Sequence, residues 1–147
     1  MGKTTLDGEY AESLLRLIFN GTPYANMADN AAVAPFSSLY VSLHIQSPGP
    51  NGNQSTSEAS FGNYARVSVP RTSGGWTVLG NVVYPANLIT FPPATGSPNQ
   101  VLTYMGIGTN SVGAGHLLYF APVSPPIVID AAGVQGELTP GSTISEI

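Results

Sequence analysis

Only 8% of the 147 residues are charged, against about 25% in ordinary soluble domains, and the formal net charge is −4 at pH 7. Four basic residues make no basic patch for nucleic acid, and the absence of cysteine excludes disulfides, thiolate nucleophiles and cysteine-ligated zinc. The length fits one domain of roughly 100–200 residues, and a hydrophobic share of 42% is enough for a core.

Neither the start of the chain nor any later stretch predicts a membrane segment. The first residues become acidic at Asp7 and Glu9 before any apolar run begins, which is unlike a signal peptide. No stretch approaches the roughly 18 apolar residues of a membrane helix. We expect a soluble protein without a secretion signal or membrane partner.

One segment has helical periodicity, with apolar residues on one face over about three turns. These residues are Leu6, Tyr10, Leu14, Leu17 and Ile18. Asn20 and Gly21 offer a left-handed stop after them. The pattern predicts a helix over 6–20, and we treat residues 1–20 as a helix and arm that precede a β domain over 21–147.

The first predicted strand follows a polar connection. Apolar Leu39, Val41, Leu43 and Ile45 alternate strictly with Tyr40, Ser42, His44 and Gln46, which is typical of a half-buried strand. Residues 47–57 are rich in Gly, Pro, Asn and Ser and predict a long surface loop.

Short β-type runs then recur between turn signals, and with the first strand they number about eight. They span 64–69, 76–79, 82–84, 88–91, 101–107, 117–121 and 127–129. We predict a mainly β, single-domain β-sandwich or jelly roll with one N-terminal helix. Prolines 85, 92–93, 122 and 125–126 are expected at strand ends, residues 109–115 form a hairpin turn, and residues 133–147 are either a last strand or an extended arm.

The charges are unevenly distributed, because residues 72–129 contain no Asp, Glu, Lys or Arg. Surface charge normally keeps monomers apart and guards sheet edges. We therefore predict a homo-oligomer, a dimer or trimer, with Leu118, Tyr119 and Phe120 as candidate partner contacts. The alternative is a neutral surface on one fully covered sandwich.

Arg66 and Arg71 are two of the four basic residues and flank the predicted strand residues 67–69. In so neutral a chain each is expected to be paired, with Glu58 as the local candidate for Arg66. We also count both arginines as candidate partner contacts. The alternative is two solvated surface charges.

No constellation predicts catalysis, a metal or a cofactor. Only His44 and His116 could act as a base, no Gly-x-Ser-x-Gly motif occurs, and both histidines fit ordinary exposed or half-buried positions. Trp76 and several tyrosines suit either a sugar-stacking platform or core packing, of which packing is the better interpretation. We expect no enzyme, no catalytic or metal residues, no cofactor and no small-molecule substrate.

Several motifs occur together: Leu-Tyr-Val-Ser-Leu-His at 39–44, Gly-x-Gln-x-Thr-x-Glu at 52–58, Tyr-Ala-Arg-Val at 64–67 and Gly-Ile-Gly-Thr at 106–109. With them the chain resembles, over roughly residues 9–122, a family of small structural proteins of tailed bacteriophages and prophages. The resemblance implies a virion component without enzymatic activity, assembled in the bacterial cytoplasm.

Two functions fit that resemblance. The first is a capsid decoration (cement) protein that binds the major capsid protein and stabilises the assembled head by mass action. The alternative is a tail or tail-fibre-associated protein that contacts other virion subunits or a host-surface glycan. We lead with the cement hypothesis.

Overall fold

The computed structural model describes residues 9–23 and 35–145. Within them the chain forms one α-helix and nine β-strands, so the predicted mainly β fold class is confirmed. The elements are α1 (Glu9–Phe19), β1 (Ser38–His44), β2 (Val67–Pro70), β3 (Trp76–Leu79), β4 (Val82–Pro85), β5 (Ile89–Thr90), β6 (Gln100–Gly108), β7 (Leu117–Ile129), β8 (Glu137–Leu138) and β9 (Ile144–Ser145).

The chain divides into two compact units. The helix unit comprises the described residues of Met1–Ser38, Val69–Leu88 and Leu138–Ile147, and the sheet unit comprises Leu39–Ser68 and Ile89–Glu137. The separation of a helical arm over 1–20 from one β domain over 21–147 stays a prediction.

In the helix unit, α1 packs against an antiparallel sheet of order β3-β4-β9. The buried face of α1 is formed by Ala11, Leu15 and Phe19, all 0% exposed, because residues four apart lie on one side of a helix. Phe19 meets the Trp76 ring edge-to-face, with centroids 4.9 Å apart. The predicted apolar face was therefore wrong in detail, since Leu14, Leu17 and Ile18 are only half-buried and Leu6 lies outside the described residues.

The C-terminal end of α1 lies one residue from the predicted position. The helix stops at Phe19 rather than at residue 20, Gly21 has φ +64°, and the amides of Asn20 and Thr22 both donate to the Arg16 carbonyl. This is a glycine-terminated helix end, in which the left-handed residue lets the chain satisfy the last carbonyls.

Arg71 caps the same helix end with its guanidinium. Nε donates to the Ile18 carbonyl at 2.6 Å, and the two terminal nitrogens donate to Leu17 at 2.6 Å and Phe36 at 2.7 Å. A cation at the negative end of a helix is stabilising. The expected pairing of Arg71 is thus made with backbone carbonyls of the helix unit.

This contact gives a testable expectation. Arg71→Ala removes three charge-assisted hydrogen bonds, and we expect the free energy of unfolding to fall by about 1.5–3 kcal/mol, with loss of helical signal in far-UV circular dichroism. Arg71→Lys keeps the charge but not the planar fork, so an intermediate loss is expected. Unchanged urea unfolding of Arg71→Ala would contradict this role.

The sheet unit contains an antiparallel sheet of order β2-β1-β6-β7, with β2 running out of the unit at Ser68, and a two-stranded sheet of β5 and β8. β1 pairs with β6 so that Val41 lies opposite Ile107 and Leu43 opposite Met105. As predicted, Leu39, Val41 and Leu43 face the core and are at most 2% exposed. Ile45 does not continue this face: it follows the end of β1 and is 43% exposed.

β7 is one strand of 13 residues where the prolines predicted two shorter ones. Prolines 122, 125 and 126 therefore lie inside a strand, which corrects the expectation that they sit at strand ends. Two features tolerate them: β7 ends the sheet order, and its pairing with β6 jumps from Leu102↔Ile127 to Tyr104↔Pro122. At an edge or an irregularity a missing N–H removes no ladder hydrogen bond.

The C-terminal segment contributes two short strands, β8 and β9, rather than one last strand or a free arm. β8 pairs with β5, and β9 pairs with β4 through Val83↔Ile144. The short strands over 76–79 and 82–85 were predicted almost to the residue, and Pro85 ends its strand as expected.

Candidate functional site

The second face of β1 carries a cluster of interacting polar side chains in the sheet unit, which we call the polar network. Its members are Ser42, His44, Gln54, Thr56, Glu58, Tyr64 and Arg66, together with the backbone of the hairpin 109–115. The network joins the segment 47–58 to that hairpin. It is the strongest candidate for a functional feature because polar groups of this kind are seldom buried together.

His44 stands at the centre of the network and is 0% exposed. Its Nδ1 lies 2.8 Å from the Thr56 carbonyl oxygen, and its Nε2 lies 2.9 Å from Ser42 Oγ. Because a carbonyl oxygen only accepts, Nδ1 carries the proton and Nε2 accepts from the Ser42 hydroxyl. Burial lowers the pKa of His44, and the Thr56 carbonyl opposes that shift in part.

The expectation of an exposed or half-buried His44 was therefore wrong. The reason lies on β6, where Gly106 pairs with Ser42. A Cβ at Gly106 would stand 2.7 Å from His44 Nε2 and 2.8 Å from Ser42 Oγ, so the missing side chain provides the space for the imidazole. His116, in contrast, is exposed as expected.

Ser42 and His44 have the spacing of a nucleophile and its base. Both residues are 0% exposed, so no substrate reaches the Ser42 hydroxyl in this structure. What the pair does is satisfy two buried polar groups and fix the carbonyl of Thr56. This holds the segment 47–58 against β1.

The lowered pKa of His44 predicts a pH dependence of stability. Above the ordinary value of 6.5, His44 is neutral in both folded and unfolded chains. As the pH falls below 6.5, the unfolded chain takes up the proton first, so the free energy of unfolding declines until the pH passes the lower, folded pKa. We expect this acid-side decline in urea unfolding of the unmodified protein and of a His116→Gln control.

His44→Gln should flatten the decline, whatever its effect on stability at neutral pH. An equal decline in His44→Gln and in the unmodified protein would show that another group is responsible.

Arg66 and Glu58 form a two-pronged ion pair, which confirms the predicted partner of Arg66. Arg66 Nε donates to Glu58 Oε1 and Nη2 donates to Oε2, each at 2.7 Å. The two side chains are only 3% and 15% exposed. The Tyr64 hydroxyl donates to Glu58 Oε1 at 2.9 Å and accepts from the Leu43 amide at 3.1 Å, and burial raises the pKa of Tyr64.

The same guanidinium also holds the β6–β7 hairpin. Arg66 Nη1 donates to the Asn110 carbonyl at 2.8 Å, and Nη2 donates to the Gly113 carbonyl at 2.7 Å. The hairpin turn itself was predicted at 109–115 and is confirmed, with the Thr109 amide bonded to the His116 carbonyl. Arg66 is thus a structural cation whose donors are used within the sheet unit.

Gln54 completes the connection and is 0% exposed. The side-chain nitrogen of Gln54 donates to the Asn110 carbonyl at 3.2 Å, and its side-chain oxygen accepts from the Asn110 backbone amide at 2.9 Å. The two bonds imitate the pair of backbone hydrogen bonds that a neighbouring strand would make. A Cβ at Gly108 would stand 2.2 Å from Gln54 Cδ, so only glycine fits beside it. The predicted surface loop over 47–57 is therefore tied down at Gln54, while Pro50, Asn51 and Ser55 remain exposed.

The candidate partner contacts lie in different places. Leu118 and Phe120 are 41% and 39% exposed on one side of β7, and Tyr119 is half-buried between them. The side chain of Arg66 is used in the polar network, and Arg71 belongs to the helix unit. The contact of these five residues with a partner stays a prediction.

Trp76 and Tyr64 pack against other aromatic rings, in line with the packing interpretation. Trp76 is 0% exposed against Phe19, and Tyr64 stacks on Phe91 with ring centroids 6.3 Å apart. No sugar-stacking platform is formed by Trp76 and Tyr64. Among the described residues no three His, Asp or Glu side chains are grouped as metal ligands, and no helix in that part of the chain is long and apolar enough to cross a membrane.

Sequence reasoning missed the burial of Gln54 and the connection through it. A signal was present in the motif Gly-x-Gln-x-Thr-x-Glu, since Gln54, Thr56 and Glu58 all turn out to serve the polar network. Together with His44 and Arg66 they stand in the motifs that carry the resemblance to phage structural proteins. Much of the polar network therefore lies within the motifs on which the resemblance rests.

No curated protein matches the chain in sequence. A protein-family model described as "Podophage GP4 fiber I protein gp80" matches residues 11–142, which is most of the chain and most of the described structure. The resemblance to a phage structural family is confirmed by this match. With its buried polar network and mainly β fold, the chain is a bacteriophage structural protein that belongs to the podophage GP4 fiber I protein gp80 family.

Proposed function

We propose that the protein is a structural subunit of a podophage fibre, or of the tail part that carries the fibre, and that it acts by binding neighbouring virion subunits. The observation that carries the proposal is the family match over residues 11–142, whose description names a fibre protein. Our leading sequence-based hypothesis was a capsid decoration protein. The fibre hypothesis, then the alternative, has the better support and is the one adopted.

The polar network supports a structural role without catalysis. Its one Ser–His pair is inaccessible, and its ion pair is used to hold the hairpin carbonyls of Asn110 and Gly113. These contacts hold the hairpin 109–115, which has few apolar residues, in one conformation. A subunit whose surface loops are fixed in advance loses less entropy when it binds its neighbours.

The proposal includes self-association as a dimer or trimer. β7 lies at the end of its sheet, carries no charged residue, and exposes Leu118 and Phe120. An uncharged edge with exposed apolar side chains is normally covered by another chain. The contacts of an assembled virion would cover it.

Light scattering on the purified protein tests self-association. We expect a mass of two or three times 15.2 kDa at micromolar concentration. Leu118→Lys with Phe120→Lys places like charges on the same strand face and should shift the population toward the monomer. Ser73→Lys adds a charge at an exposed turn position without removing an apolar side chain and is the control. A stable 15.2 kDa species for the unmodified protein would contradict self-association.

Immunogold electron microscopy of purified virions tests the fibre location. We expect antibody against this protein to label the fibres or their attachment point, with labelling abolished when the antibody is first absorbed with the purified protein. Uniform labelling of the head surface would contradict the fibre proposal and support capsid decoration instead.

A further inference from the structure

A cleft of about 320 Å³ lies in the sheet unit, apart from the polar network. Two segments form its walls, residues 60–62 and 95–100. The lining residues are Ser60, Phe61, Gly62, Thr95, Ser97, Pro98, Asn99 and Gln100. Its volume is within the range of sites for small ligands.

The two walls are firmly joined. Gly62 and Thr95 form an antiparallel bridge, with the Thr95 amide 3.0 Å from the Gly62 carbonyl. The Gln100 side-chain oxygen accepts from the amides of Ser60 and Phe61 at 3.0 and 3.1 Å. A Cβ at Gly62 would stand 2.6 Å from Thr95 Oγ1, so the walls meet as closely as they do only because residue 62 is glycine. The cleft is therefore preformed.

The polar groups that face the cleft are neutral and largely unused. Ser60 Oγ accepts from the Gln100 amide at 2.9 Å, which leaves its hydroxyl proton for a ligand. The side chains of Thr95, Ser97 and Asn99 make no hydrogen bond within the described part of the chain. Hydroxyl and carboxamide groups both donate and accept. These side chains therefore suit a ligand with several groups that both donate and accept hydrogen bonds.

The lining disfavours ions and apolar protein contacts. No charged residue lines the cleft, so a bound ion would lose its hydration without compensation. Phe61 is 6% exposed and Pro98 is buried, so the cleft lacks the accessible aliphatic or aromatic anchor that a protein contact needs. The lining therefore favours a small, neutral ligand with several hydrogen-bonding groups, such as hydroxyls.

We propose that this cleft binds a neutral sugar residue, free or within a polysaccharide, through Ser97, Asn99 and the hydroxyl groups of Ser60 and Thr95. The inference deepens the proposed function by adding a ligand class, and its biological meaning rests on that function. The binding claim itself is argued from the cleft residues, and the test uses the purified protein. Failure of sugar binding is thus distinguishable from failure of the fibre location.

Titration of the ¹⁵N-labelled protein with neutral methyl hexosides, N-acetylhexosamines and neutral oligosaccharides tests the proposal, with a uronic acid and a hexosamine as charged comparators. We expect amide shifts confined to residues 60–62 and 95–100, produced by neutral sugars and more weakly by charged ones. Binding by monosaccharides indicates recognition of a single or terminal residue. Binding by oligosaccharides alone indicates a residue within a chain, and either result supports the site.

Asn99→Ala should weaken binding by about three- to tenfold, as expected for one lost hydrogen bond, and Asn99→Ala with Ser97→Ala should weaken it further. Both side chains are exposed and unbonded, so these variants keep the fold. Asn51→Ala, at an exposed position away from the cleft lining, is the matched control and should bind normally. No shift with any neutral sugar, shifts elsewhere in the chain, or unchanged affinity of the double variant would overturn the proposal.

Discussion

Arg66→Ala should destabilise the sheet unit more than any other single charge removal in the chain. The substitution leaves Glu58 in a largely buried position without its cation, and it also removes the hydrogen bonds from Arg66 to the carbonyls of Asn110 and Gly113. Breaking one side of a buried ion pair costs about 3–5 kcal/mol. We expect a loss of that size in urea unfolding, and we expect the amides of the 109–115 hairpin to lose protection in hydrogen exchange.

The matched control is the second ion pair of the chain's described part. Arg16 pairs with Glu12 one helical turn away, but these side chains are 42% and 33% exposed. Exposed pairs of this kind contribute about 0.3–0.5 kcal/mol, so Arg16→Ala should unfold almost as the unmodified protein does. A double-mutant cycle with Glu58→Gln isolates the coupling. Equal stability of Arg66→Ala and Arg16→Ala would contradict the structural role of Arg66.

Trp76→Ala is expected to have a comparable effect in the helix unit. Trp76 is 0% exposed, and its ring is the surface on which Phe19 at the end of α1 packs. Its indole nitrogen makes no hydrogen bond among the described residues, so the loss is one of packing. Truncating a buried Trp to Ala costs about 3–5 kcal/mol. The measurement is far-UV circular dichroism during urea unfolding, because α1 should melt first.

Two further substitutions make that experiment specific. Trp76→Phe keeps an aromatic ring beneath α1 and should lose less stability than Trp76→Ala. Leu79→Ala, on the same strand at a 70% exposed position, should change the free energy of unfolding by no more than about 0.5 kcal/mol. A Leu79→Ala variant as unstable as Trp76→Ala would show that β3, rather than the Trp76 ring, carries the effect.

Local patterns predicted those parts of the fold that depend on neighbouring residues. The alternation of Leu39, Val41 and Leu43 gave the core face of β1, and the pairing of Arg66 with Glu58, eight residues away, followed from opposite charges in a short segment. The hairpin at 109–115 followed from its glycines. In each case the information lies within a few residues along the chain.

Contacts that are distant in sequence determine what was missed. Ser42 and His44 look like a solvent face, and they are buried because Gly106 makes room and the segment 47–58 folds across them. Arg66 reaches carbonyls 44 and 47 residues away. No periodicity records such contacts, since a polar side chain in a polar segment has the same local pattern whether it is solvated or buried in a satisfied network.

The prolines of β7 illustrate the same limit. Local rules place proline at strand ends, and they hold for Pro85. They fail for Pro122 because only the sheet order shows that β7 is at an edge, and only the register shows the irregularity between Leu102 and Tyr104. In the helix, Ala11 was overlooked as a core residue because it is small, although it is 0% exposed.

The copy number of the protein in purified virions tests the fibre proposal most directly. Quantitative mass spectrometry with isotope-labelled peptides of this chain and of the major capsid protein gives the ratio of the two. The account predicts a small fraction of the capsid protein's number, consistent with a few fibres attached to one tail. A copy number comparable to that of the major capsid protein would contradict the fibre proposal and place the protein on the head.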